Sequence, residues 1–133
     1  MAGSEADKTE KITINLGLVD LGQIDLLVQE GFYTNRTDFI RSAIRTQLAS
    51  RASAVDQSVA RNALALGTQH YSRKDLEARR AAGEQIQIRV LGLATIASDV
   101  PVELALATII SVEVLRAFRA SPAVKKALAA RTI

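Results

Sequence analysis

Lys11-Ile-Thr-Ile-Asn-Leu16 is the stretch on which the fold turns. Ile12, Ile14 and Leu16 alternate with Lys11, Thr13 and Asn15. An extended backbone therefore places three apolar side chains on one face and three polar ones on the other. The spacing predicts a short strand. One such strand cannot stand alone, because its amides and carbonyls need a ladder and its apolar face needs cover. No second strand is expected in the first half of the chain. The economical partner is the same stretch of a second copy, paired antiparallel about a two-fold axis near Thr13. Ile12, Ile14 and Leu16 then face inward, and Lys11, Thr13 and Asn15 of both copies project from the outer face.

Working outward, the apolar period changes after this strand. Leu21, Ile24, Leu27 and Val28 share a helical face, with Asp20 expected as N-cap and Gly31 as the stop. Gly22 inside that helix costs about 1 kcal/mol of propensity. Phe32-Tyr33-Thr34 connects to a second helix, which Asn35 caps, with Asp38 at the third helical position. Phe39, Ile40, Ala43, Ile44 and Leu48 form its apolar stripe. Ala49–Ala54 reads as a break or a continuation. Val55, Val59, Ala63 and Leu66 resume a helical period that Gly67 ends, and His70 and Tyr71 follow in a loop. Ser72 opens a helix over Arg73–Ala82, stopped by Gly83. Gln85–Ala97 alternates and then becomes apolar on both faces, which predicts a strand bulged at Gly92. Asp99 and Pro101 start a helix expected to run to about Ala120, and a short helix follows Ser121-Pro122 to near Arg131.

The fold class expected is α+β and mainly helical. Met1–Glu10 reads as a flexible tail, polar and acidic rather than a secretory signal. A strand-helix-helix domain covers 11–50, a helical connector 51–83, and a small helix-strand-helix region 84–133. Apolar stretches are too short for a membrane span, so a cytoplasmic protein is expected.

Composition removes several kinds of chemistry. The chain of 133 residues has no cysteine, which excludes disulfides, thiolate metal sites and a Cys nucleophile. Its one histidine, His70, cannot build a His-rich metal centre. Asp20, Asp25, Glu103 and Glu113 form no pair with catalytic spacing, and no Gly-rich phosphate loop or Ser-His-Asp order is present. No enzyme, metal or cofactor is expected. At 4% aromatic residues, a base-stacking platform is not expected.

The outer face of the strand points to double-stranded DNA. A two-stranded ribbon fits the major groove. There Lys donates to guanine O6 and N7, Asn pairs with adenine, and Thr meets either donors, acceptors or a thymine methyl. The N-terminus of the second helix offers free amides near Asn35, Arg36 and Thr37, where a phosphate binds. Arg41 and Arg45 read as a solvated face.

Strand, helix, Gly31-Phe-Tyr-Thr-Asn-Arg-Thr-Asp38 and helix together resemble the ribbon-helix-helix family of dimeric DNA-binding repressors, the MetJ-, Arc- and CopG-like group. The resemblance covers about residues 10–50. It implies an intersubunit ribbon and a homodimer through Lys11–Leu16. It also implies base reading by Lys11, Thr13 and Asn15, a phosphate clamp of Asn35, Arg36 and Thr37, and repression by promoter occlusion. Lys11–Leu48 holds four basic and four acidic side chains, so non-specific affinity should be modest. The C-terminal half matches no family by eye. Its strand lacks an expected partner in the chain, and its apolar content suits an association module over 84–133 that joins dimers into tetramers. A ligand pocket, or a surface for a toxin or other protein, is the rival use of that half. The alternatives for the whole chain are an antitoxin and a plasmid-partition or DNA-transfer accessory protein.

Overall fold

The computed structural model describes residues 8–133, and the tail expected over Met1–Glu10 lies outside the described residues as far as residue 7. The described chain holds six α-helices and three strands. In order they are α1 (Leu18–Gln29), α2 (Arg36–Ser50), α3 (Ala52–Arg61), β1 (Ala65–Tyr71), α4 (Arg73–Ala81), β2 (Ile86–Ile96), α5 (Val102–Thr108), β3 (Ile109–Arg119) and α6 (Pro122–Leu128). A short 3-10 turn, Ala129–Arg131, follows, and Thr132 then bridges Val112 of β3. Residues 9–58 form one compact unit and 59–133 the body of another.

In the first unit, α1 begins at Leu18 with Gly17 as its N-cap, not at Asp20, which lies in the first turn. The acidic side chain still sits where the positive end of the helix favours it. Gly31 stops the helix as expected, at φ +86. The Phe32 amide donates to the Leu27 carbonyl (3.0 Å) and the Gly31 amide to the Val28 carbonyl (3.1 Å). This is a Schellman end, and its left-handed residue favours glycine. Tyr33 and Phe39 meet edge to face at 5.0 Å and pin the connection to α2. α2 and α3 are separate helices, because Arg51 leaves helical geometry at φ −112 and ψ 11.

The second unit departs most from expectation. The C-terminal half is not a helix-strand-helix. It is a β-α-β-α-β-α unit whose strands form a parallel sheet in the order β1-β2-β3. The helical period through Leu66 breaks at Arg61, and Leu66, Gly67 and His70 belong to β1. The helix expected from Pro101 to Ala120 is only α5, followed at once by β3. Its β-branched run, Ile109, Ile110, Val112 and Val114, suits a pleated surface better than a helix. The strand expected to lack a partner is the central one, flanked on both sides. Its register irregularity falls at Ile86/Gln87, not at Gly92.

Gly92 has a different role. It lies opposite Gly67 of β1 and Arg116 of β3, and all three have positive φ, +132, +122 and +116. A Cβ at Gly92 would stand 2.3 Å from the Gly67 carbonyl oxygen. Only glycine allows the two strands this approach. Arg116 holds a backbone conformation that strains any side-chain-bearing residue.

One face of the sheet carries the core. Ile88, Val90, Ala94, Ile96 and Val112 pack with Leu76 of α4, Leu104 and Ala105 of α5, and Val124 and Leu128 of α6. α5 packs against both α4 and α6, so the three helices form one layer. Buried Thr108 is satisfied by donating to the Leu104 carbonyl (2.8 Å). Arg131 donates to the carbonyls of Leu106 (2.8 Å) and Ile109 (2.7 Å), closing the C-terminal end of α5. Burial pushes the Tyr71 phenol up, against an opposing pull from the Arg79 charge. Among the described residues no helix is long and apolar enough to cross a membrane.

Candidate nucleic-acid interface

The first unit has almost no interior of its own. Ile24, 7% exposed, is its one buried hydrophobic residue. Ile12 is 74% exposed and Ile14 58%. Residues 11–17 carry no ladder with any described residue. The short strand expected over Lys11–Leu16 is therefore not formed in the single copy, where its backbone groups have no neighbouring strand. Ile14 and Leu16 line an open groove of about 470 Å³ with Ile24 and Leu27 of α1 and Phe39, Ile40, Ala43 and Ile44 of α2. The alternation therefore sorts the side chains in part, since Ile12, expected to face inward with Ile14 and Leu16, is not in the groove. Ile14 and Leu16 turn to the apolar groove, and exposed Lys11, Thr13 and Asn15 are not among its lining.

The start of α2 is built by local capping. Asn35 is extended at φ −163 and ψ 178, and its side-chain oxygen accepts from the Asp38 amide at 2.8 Å. Asp38 reaches back and accepts from the Thr34 amide at 2.9 Å. These two bonds fix the angle at which the chain enters the helix. The Arg36 and Thr37 amides occupy the first two helical positions, which have no intrahelical acceptor. They and the helix dipole favour an anion there.

Arg36 sits at this end but its guanidinium is already engaged. Nε donates to Asp25 Oδ1 at 2.7 Å and Nη2 to Oδ2 at 2.8 Å, a two-pronged pair that ties α2 to α1. The hydrogen bonds from Arg36 hold the Asp25 carboxyl below its ordinary value, and the same contact raises the Arg36 guanidinium. Both side chains are about half exposed, so the pair orients more than it stabilises. The sequence pattern assigns Arg36 to the clamp but does not reveal this partner, because Asp25 lies eleven residues away on another helix.

Two further cations belong to this end. Thr34, Asn35, Thr37, Asp38, Arg41 and Arg45 line one polar cleft. Arg41 and Arg45, expected to form only a solvated face, therefore stand beside the helix start. Their four-residue spacing from Thr37 is the signal in the sequence, since it stacks the three side chains on one side of a helix. His70, expected in a loop, lies in β1 with Nδ1 2.6 Å from Thr95 Oγ1. It is in the second unit and takes no part in this site.

Comparison with known proteins yields one family match, spanning residues 7–125 and so both units: the Ribbon-Helix-Helix transcriptional regulator family. No curated protein and no solved structure matches the chain.

Proposed function

From the premise that this chain belongs to the Ribbon-Helix-Helix transcriptional regulator family, we propose that it binds double-stranded DNA as a homodimer and represses by covering a promoter. Lys11–Leu16 of two copies pair as an antiparallel ribbon that enters the major groove. Lys11, Thr13 and Asn15 of each copy read base edges. Asn35, Arg36 and Thr37 hold the flanking phosphate, chiefly through the amides of Arg36 and Thr37, while Asn35 shapes the helix end and Asp25 steadies the Arg36 side chain. Arg41 and Arg45 extend the positive side of that cleft along α2. They offset the acidic Asp38 beside it.

The observation that carries this reading is the missing interior of residues 9–58. A unit with one buried hydrophobic side chain and an open apolar groove is not stable by itself. A second copy of the ribbon and helices supplies the absent cover, and pairing places the six polar ribbon side chains together on one surface.

The test is selection from a random duplex library with the full chain and with a Lys11→Ala/Thr13→Ala/Asn15→Ala variant. Enrichment of a two-fold or tandem motif by the wild type alone is expected. Equal enrichment by both proteins would remove the ribbon as reader. No enrichment by either would overturn the regulator reading.

A further inference from the structure

Among the described residues the sheet of the second unit has helices on one face only. Parallel sheets occur almost entirely with both faces covered. The second face is apolar at its centre, and no described element covers it, with Leu66 59% and Leu115 53% exposed. Strand register sorts its side chains into rows. The two middle rows are Leu66-Leu91-Leu115 and Thr68-Leu93-Ala117. Arg89 and Glu113 lie beyond one of them, and Arg119 beyond the other. The bond from Arg89 Nη2 to Glu113 Oε2, at 2.9 Å, confirms that these side chains share the face.

We propose that this face packs against the same face of a second copy of the chain. The pattern is self-complementary under a two-fold axis that lies between the sheets, crosses the strands and passes over the Gly67-Gly92-Arg116 row. That axis turns each middle row onto the other. Leu115 then lies over the partner's Ala117 and Leu66 over the partner's Thr68, so large side chains meet small ones on both edge strands, and Leu91 meets the partner's Leu93 at the apolar centre. The same turn sets Glu113 over the partner's Arg119. Arg89 uses Oε2 for both of its contacts, at 3.1 and 2.9 Å, which leaves Oε1 to accept from that arginine.

Area explains why this contact works in company. Strand and residue spacings give the face on the order of 300 Å² per copy, against about 800 Å² per partner in a stable interface. A copy already held by the ribbon supplies the rest through effective concentration. That supply rests on the ribbon dimer proposed above, whereas the self-complementary pattern does not.

The absence of cysteine makes the test direct. Ala117→Cys in the full chain, treated with a short bis-maleimide, is expected to give mostly covalent dimer. Lys125→Cys, exposed on the helix layer, is the control and is expected to stay monomeric on denaturing gels. Adding Leu115→Arg to Ala117→Cys should abolish the cross-link while far-UV circular dichroism is unchanged. Leu66→Asn, on an edge strand, is the milder second variant and should lower the yield. Ala117→Cys cross-linking no better than Lys125→Cys would overturn the proposal, as would a yield indifferent to both Leu115→Arg and Leu66→Asn. Native mass then reports whether the paired faces belong to one ribbon dimer or to two. Failure of the DNA selection in a protein whose native mass still shows a ribbon dimer leaves the cross-link intact, so the DNA reading and this one fall separately.

Discussion

Replacing Gly92 by alanine should cost the second unit about 2–5 kcal/mol, from strain and weakened strand pairing together. The added Cβ would stand 2.3 Å from the Gly67 carbonyl oxygen, a backbone atom that no rotamer change can move. Real contacts of this kind rarely fall below 3.0 Å, so β1 must retreat by at least the difference, 3.0 − 2.3 = 0.7 Å. That retreat weakens neighbouring ladder bonds, each worth about 0.5–1.5 kcal/mol. Alanine at φ +132 adds strain of about 1–3 kcal/mol. Arg116 shows that a side chain can be held at such a φ in this row, so the clash rather than the dihedral carries the larger share. Gly22→Ala is the matched control. It lies inside α1 with nothing within 4 Å of the added carbon, and should stabilise by about 0.5–1 kcal/mol. Urea unfolding followed by circular dichroism, at one fixed protomer concentration, measures both. A Gly92→Ala variant within about 1 kcal/mol of wild type would refute the close approach of β1 and β2.

Thr13→Ala and Asn15→Ala should each lose about 1–3 kcal/mol on the selected site and little on random duplex, as read by fluorescence titration. Arg41→Ala should lower affinity on all sequences and make the slope of log K against log salt shallower by about one for each phosphate the protein no longer neutralises; an unchanged slope would remove Arg41 from the interface. Asn35→Ala should destabilise by about 1 kcal/mol by removing the cap on the Asp38 amide, visible as a lower urea midpoint. Asp25 has a carboxyl held below its ordinary value, chiefly by the Arg36 hydrogen bonds. Its contribution to stability is therefore full above the ordinary carboxylate pKa and is lost as pH falls through the lowered value. Asp25→Asn should flatten that part of the acid limb of urea midpoint against pH, and an unaltered limb would show that the pair contributes nothing.

Local signals are legible from the residues. Asn35 and Asp38, Gly31, Ser72 and Gly83 act within a turn of where they stand, so their roles follow from a few neighbours. The alternation in Lys11–Leu16 places Ile14 and Leu16 in the groove by the same short-range logic, while Ile12 stays outside it. The Arg36–Asp25 pair is hidden, because it depends on how two helices pack.

By itself the sequence determined the two N-terminal helices, the Gly31 stop between them and the Asn35 cap of the second, since residue period and helix capping are properties of the chain. Tertiary structure decided the C-terminal half. Ile109–Arg119 and Ala65–Tyr71 became strands because β2 offered each a parallel neighbour. A continuous apolar run is compatible with a buried helix or a buried strand, and only the partner across the ladder chooses between them.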